Sequence, residues 1–147
     1  MRLFSSQITV LTNLAFAVVL TLPVVAHEVK VSGDVAATFH INPSHQPKVG
    51  TPAQAWFALT KKGGKVVPLS QCDCKLAIYP VPQAQGQTLP LMQPTLSAIN
   101  ADRYRNIPGA TIIFPKSGVY KLELTGTAKP GAKFKPFQFA YEVTVTE

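Results

Sequence analysis

Regular alternation of apolar and polar side chains is the feature that most restricts the fold of this chain. From Tyr120 to Thr125, and again from Phe137 to Val145, every second residue is apolar. The segment Val35–Ile41 repeats the pattern. A period of two residues is that of a β-strand with one buried face. The sequence therefore predicts short strands that pack one face into a core.

Glycine and proline turns separate these strands. The segments Lys61–Lys65 and Pro115–Gly118 are predicted turns, and Gln83–Pro94 is a predicted irregular loop. Three further strands are predicted: Ala53–Thr60, Lys75–Val81 and Ala110–Phe114. About seven short strands with no long helix predict an all-β fold, a β-sandwich of the immunoglobulin type rather than a barrel.

Some local features are also predicted. The segment Ala98–Arg105 has room for one helical turn, with Asn100 as its cap. Tyr120 stands where such sandwiches carry a corner tyrosine, which gives it a structural role. Five aromatic residues are expected in the sandwich core rather than at a ligand: Trp56, Phe57, Phe134, Phe137 and Phe139.

An export signal is predicted at the N-terminus. The positive pair Met1-Arg2 precedes an apolar segment from Ile8 to Leu22, and small residues follow up to Ala26. Cleavage after Ala26 makes residues 1–26 a signal peptide and leaves residues 27–147 as a single domain. Since the apolar segment is nearly long enough to span a bilayer, a retained anchor is the alternative. Either way the domain is exported, to a periplasm, a thylakoid lumen or the extracellular space.

The exported chain is basic. The sequence has 14 Lys and Arg against 7 Asp and Glu, so removal of Arg2 leaves a net charge of +6. In an exported protein this charge indicates an acidic envelope protein or an anionic surface as partner, not nucleic acid, with peripheral membrane contact at most. A monomer is expected. The lysines flank two predicted turns, where solvated loop charge explains them: Lys61, Lys62 and Lys65 at one, and Lys129, Lys133 and Lys135 at the other.

Three histidines, His27, His40 and His45, fall within nineteen residues. Cleavage after Ala26 would give His27 a free α-amino group beside its imidazole, and that pair can chelate a metal ion through two nitrogens. Either His40 or His45 alone would be an ordinary surface histidine. As a set, amine and imidazole nitrogens suit Cu(II), which is highest in the Irving–Williams order, although nickel and zinc would also bind. Asp34 is the candidate oxygen ligand because it is close in sequence.

The two cysteines, Cys72 and Cys74, are separated by one residue. In an exported domain two cysteines usually form a disulfide. A bridge across one residue closes a very small ring, which strains the bond and makes it easier to reduce. The alternative is a thiolate pair that binds Cu(I) or exchanges disulfides with a partner. Both interpretations remain open at the level of sequence.

A cleaved N-terminus at His27 followed by a small β-sandwich resembles the CopC-type periplasmic copper-binding domains. It is also similar to the YtkA-like sandwich domains of bacterial envelopes. The resemblance to CopC implies that His27, a second histidine and an aspartate hold Cu(II). His27 corresponds by position, while His40 or His45 and Asp34 are of the right residue types. The Cys72-x-Cys74 pair is a departure from the CopC pattern.

Two functions follow as hypotheses. The first is an exported copper-binding module that buffers or delivers copper through His27, with no enzymatic activity. The second is an envelope interaction domain without metal, in which Cys72 and Cys74 form a structural disulfide and the domain binds a protein or an anionic polymer. A copper oxygenase would need the same His27, but a sandwich of 121 residues offers little room for a substrate platform. No nucleophile elbow or phosphate-binding loop indicates another enzyme.

Overall fold

The computed structural model describes residues 28–147, which form two antiparallel sheets packed as a sandwich. One sheet has five strands in the order β1-β2-β3-β6-β5, and the other has three in the order β4-β7-β8. A single 3-10 turn, Leu69–Gln71, precedes β4. The strands are β1 Glu28–Ser32, β2 Val35–Asn42, β3 Ala53–Lys61, β4 Cys72–Val81, β5 Ser97–Ala101, β6 Tyr104–Ile112, β7 Gly118–Ala128 and β8 Phe137–Val145.

Strands β2 to β8 follow the arrangement of an immunoglobulin constant domain. With β2 taken as the first strand, the first, second, fifth and fourth strands form one sheet, and the third, sixth and seventh form the other. The predicted all-β sandwich is confirmed. Strand β1 is an addition to the seven, and it pairs with β2 at the edge of the larger sheet.

The core lies between the two sheets and contains the apolar residues of the alternating pattern. On β2, Val35, Ala37, Phe39 and Ile41 are buried, and alternate residues of β7 and β8 face them. Tyr141 is fully buried among them: its ring is 4.7 Å from that of Phe39, and its hydroxyl donates to the Ala37 carbonyl at 3.1 Å. Burial raises the pKa of this hydroxyl, so it remains a proton donor at ordinary pH.

Strand β3 is buried on both faces. Phe57 and Leu59 point into the sandwich core, whereas Trp56 and Ala58 pack with Ile107 in a second apolar cluster. Trp56 is therefore buried as expected, but in that cluster and not in the sandwich core. Among the other aromatic residues, Phe57, Phe137 and Phe139 are in the core and Phe134 packs against it.

The helical turn predicted for Ala98–Arg105 is wrong. This segment is the end of the β5–β6 hairpin, in which Ala101 pairs with Tyr104 across a two-residue loop. Asp102 has a φ of 53°, a left-handed conformation that aspartate tolerates in tight turns. On β6, a Cβ at Gly109 would lie 2.5 Å from the Cδ1 atom of Ile99, so glycine allows the two strands to pack.

The corner role predicted for Tyr120 is confirmed. Its buried hydroxyl end donates a 2.8 Å hydrogen bond to the carbonyl of Lys116, four residues earlier, and its ring packs 4.9 Å from Phe114. This bond joins the start of β7 to the loop before it, as in other sandwiches of this architecture.

Within residues 28–147, no helix is long and apolar enough to cross a bilayer. The predicted signal peptide, residues 1–26, and the predicted N-terminal residue His27 lie outside the residues that the structure describes.

We expect Tyr120→Phe to lower the free energy of unfolding by about 1 kcal/mol, because it leaves the Lys116 carbonyl without its donor and keeps the ring. Urea unfolding followed by circular dichroism measures the change. Tyr79→Phe is the matched control, since the Tyr79 hydroxyl makes no hydrogen bond within residues 28–147. Equal stability of the two variants would contradict a structural role for the corner bond.

Candidate functional site

Two of the three predicted histidines come together on the outer face of the larger sheet. His40 lies on β2 directly opposite Trp56 of β3, and the two rings stack with centroids 5.1 Å apart. The ring of His45 meets that of His40 edge-on, with centroids 4.6 Å apart. We call His40 and His45 the histidine pair. Trp56 packs against the His40 ring of this pair.

Polar side chains lie beside His40. The Nε2 atom of His40 is 2.9 Å from Oδ1 of Asn42, a contact that orients the imidazole ring. Gln54, Asn100 and Asp102 line the same open cleft of about 390 Å³ beside His40. Asn42 was not among the predicted site residues. The two-residue spacing from His40 was the available indication, because it places both side chains on one face of β2.

The loop that carries His45 is anchored at its far end. Pro47 is buried, and its carbonyl accepts a 2.9 Å hydrogen bond from the amide of Thr146. Within the loop, the Gln46 amide donates to the Ser44 hydroxyl at 3.1 Å. His45 itself is exposed, so its imidazole is accessible to solvent on a restrained loop.

Asp34 does not join the histidine pair. It lies at the opposite end of β2, six residues from His40, which corresponds to about 20 Å along a strand. Its carboxylate instead accepts a 2.8 Å hydrogen bond from the amide of Lys135. Among residues 28–147, no group of three or more His, Cys, Asp or Glu side chains could hold a metal ion. A metal centre at the histidine pair would therefore need a donor from outside this part of the chain.

Cys72 and Cys74 form a disulfide within β4, with their Cα atoms 5.2 Å apart. Both sulfurs are on the inner side of the strand, where Cys72 is buried and Cys74 is half-buried. With both sulfurs in the bond, neither is a thiolate ligand for Cu(I). Across the sheet, a Cβ at Gly126 would come within 2.8 Å of the Cys72 sulfur, so only glycine fits there.

A groove of about 520 Å³ runs along the disulfide, between the start of β4 and the segment Gln93–Leu96. We call it the disulfide groove. Lys75 and Lys129 line it, together with the acidic side chain of Asp73. No sequence pattern indicates this groove, since Gln93–Leu96 is remote from the cysteines in the chain.

The two lysine groups predicted as separate surface charge meet at one end of the sandwich. Lys61 Nζ donates to the carbonyl of Lys133, and both residues line a shared cleft with Lys65. Lys129 bonds through its amide to the Gln71 carbonyl at 3.0 Å. We call this the lysine end, and it contains Lys61, Lys62, Lys65, Lys129, Lys133 and Lys135. The ion pairs formed within residues 28–147 are at Lys30 and Lys121, away from these six.

The fold and its site define an all-β sandwich that carries a histidine pair at one end and a disulfide beside lysines at the other. No family model matches the chain, and no curated protein is detectably similar to it. A solved structure of a DUF4426 family protein from Pseudomonas aeruginosa PAO1 is similar to 82% of this chain and 99% of its own, with 15% sequence identity and a TM-score of 0.49.

Reduction of the disulfide is expected to leave the domain folded. A bridge across one residue closes a loop of three residues, so its effect on the entropy of the unfolded chain is worth only about 1.6 kcal/mol. Urea unfolding with and without a phosphine reductant measures this difference. The Cys72→Ala, Cys74→Ala double variant is the control and should not respond to the reductant. Unfolding of the native protein by reductant alone would contradict the expectation.

Proposed function

We propose that this protein binds Cu(II) at its mature N-terminus and buffers or delivers copper in the compartment to which it is exported. The observation that carries the proposal is the contact between His40 and His45, with ring centroids 4.6 Å apart at the end of the sandwich where β1 begins. Two imidazoles at this spacing need one or two further nitrogen donors to form a Cu(II) site.

His27 is the residue that would supply those donors. It is bonded to Glu28, which pairs with Phe39, the chain neighbour of His40. Because consecutive Cα atoms are about 3.8 Å apart, donor atoms on the residue bonded to Glu28 could reach this end of the ladder. Cleavage after Ala26 would add a free amine, whose pKa of roughly 7.7–8.0 allows deprotonation on metal binding. This is the donor set that the resemblance to CopC-type domains implies, without the contribution of Asp34.

The residues around the histidine pair are placed to hold the His40 ring in one orientation for metal binding. Trp56 stacks on His40 and restricts its rotation, while Asn42 contacts its Nε2 atom. Contacts of this kind orient ligating imidazoles in metal sites and raise metal affinity. Gln54 and Asp102, in the neighbouring cleft, offer oxygen atoms to waters around a bound ion. The open surface at exposed His45 suits exchange of the metal with a partner.

A second candidate is an interaction domain without metal, which the lysine end favours. Two loops that are distant in sequence combine their positive charge there, and an acidic protein or an anionic polymer would be attracted to it. Metal stoichiometry separates the candidates, since only the first requires one tightly bound ion.

The test is a Cu(II) titration of the protein exported with its own leader, after mass spectrometry of its N-terminus. We expect one equivalent to bind, with nitrogen hyperfine structure in the EPR spectrum, and to quench the fluorescence of Trp56, the single tryptophan. An extra alanine ahead of His27 should abolish the site by moving the amine. A different N-terminus, or equal weak binding by both forms, would contradict the proposal.

Substitutions then assign the remaining ligands. His40→Ala and His45→Ala should each weaken Cu(II) binding by about tenfold or more, since losing a ligand costs at least as much as losing a group that orients one. Gln46→Ala, in the same exposed loop, is the matched control and should bind like the native protein. Native affinity in both histidine variants would exclude the pair as ligands.

A further inference from the structure

We propose that the Cys72–Cys74 disulfide is an exchange site, at which it oxidises a reduced cysteine pair in an acidic, extended segment of another protein. Three features of the described residues carry this inference: the position of the bond within one strand, the greater exposure of Cys74 in the disulfide groove, and the polar groups that border the groove. The histidine pair takes no part in it.

The position of the disulfide argues against a purely structural role. Both cysteines lie on β4, which is already held along its length by ten residue pairs with β7, from Cys72–Ala128 to Val81–Val119. The bond therefore joins no two elements of the fold. A loop of three residues also restricts the unfolded chain less than any longer loop would.

The two cysteines differ in exposure. Both line the disulfide groove, but Cys72 is only 1% exposed and packs in the core, whereas Cys74 is half-buried. A thiolate that enters the groove therefore meets the Cys74 sulfur first. The packing of Cys72 against Gly126 closes the approach from the side of β7.

The edge of β4 beside the groove is available for pairing with another strand. Farther along this edge, the Ile78 amide donates to the Met92 carbonyl at 2.9 Å, and the Ile78 carbonyl accepts from Leu91 at 2.8 Å. Since backbone groups alternate in direction along a strand, Cys74 and Leu76 turn their amides and carbonyls to the same edge. Within residues 28–147 no backbone hydrogen bond is formed to them from that side. An extended segment could add there as a further strand.

Charge selects the partner. Lys75 and Lys129 line the groove, and the other lysines of the lysine end lie beyond Gln71 at the same end of the sandwich. Positive charge of this kind attracts an acidic segment and stabilises thiolates that form in the groove. Asp73 is the acidic side chain among those that line the groove, so the positive charges outnumber it.

The exchange proceeds in two steps. A thiolate of the partner attacks the Cys74 sulfur; the Cys72–Cys74 bond breaks, the new bond joins the partner to Cys74, and Cys72 leaves as a thiolate. The second partner thiolate then attacks the partner sulfur of this mixed disulfide, so the partner disulfide forms and Cys74 leaves as a thiolate. Two electrons pass from the partner to the protein. Both protein thiolates then take protons, and the partner dithiol has lost two.

The test uses synthetic peptides with a reduced Cys-x-x-Cys pair, flanked either by aspartates or by lysines, in the presence of a metal chelator. We expect the acidic peptide to be oxidised about tenfold faster at low ionic strength, with the advantage shrinking as salt is added. Free thiols on the protein and oxidised peptide, quantified by mass spectrometry, should appear in equal stoichiometry. Equal rates for the two peptides, or reaction only in denaturant, would overturn the proposal.

Variants test the lysines. Lys75→Gln with Lys129→Gln should remove most of the preference for the acidic peptide. Lys48→Gln with Lys116→Gln makes the same change in net charge at the opposite end of the sandwich and should leave the preference intact. If both double variants lose the preference equally, net charge and not the groove is responsible, and the proposal fails.

A peptide with one cysteine tests the order of attack, because the mixed disulfide cannot resolve. Alkylation followed by fragmentation should show the peptide on Cys74 and the alkyl group on Cys72. The reverse distribution would exclude attack from the groove. The use of a chelator keeps this result independent of copper binding, so a failure of the copper proposal leaves it unaffected.

Discussion

The burial of strand β3 on both faces is the constraint on which the core and the histidine pair both depend. On the inner face Phe57 packs in the sandwich core, 6.0 Å from the ring of Tyr141, and on the outer face Trp56 lies under His40. A shift of one residue between β2 and β3 would turn the apolar side chains of β2 out of the core. The burial of Phe39 opposite Phe57 therefore fixes the register that also sets His40 on Trp56.

The sequence was informative wherever one face of a strand is buried and the other is polar. Strands β2, β7 and β8 have this alternation, and they were predicted with their inward residues. Strand β3 reads Ala-Trp-Phe-Ala-Leu at its centre, a continuous apolar run that shows burial without showing which residue faces which side. The β5–β6 hairpin was missed because its turn depends on the left-handed conformation of Asp102, which helix and strand patterns do not reveal.

The candidate sites also show that sequence pattern does not predict contacts between residues that are distant in the chain. Closeness in sequence predicted the approach of His40 and His45, which a short loop joins. The same criterion misplaced Asp34, because each residue of an extended strand adds about 3.3 Å to the distance between its ends. The two lysine groups follow β3 and β7, which belong to different sheets. Only the sandwich topology brings the loops after these strands to one end, so neither the lysine end nor the disulfide groove could be derived from local pattern.

The lysine end lies far enough along the sandwich from the histidine pair that its charge does not oppose a cation there. Val35 pairs with Lys61 at the lysine end, and His40 lies five residues farther along β2, about 17 Å away in an extended strand. Charges of exposed lysines are screened over a Debye length of about 8 Å at physiological ionic strength. Their potential at the histidine pair is therefore weak, while it remains strong beside Cys74. The proposed metal site and the proposed site for an acidic partner therefore lie at opposite ends of the domain, so neither proposal requires that one event disturb the other.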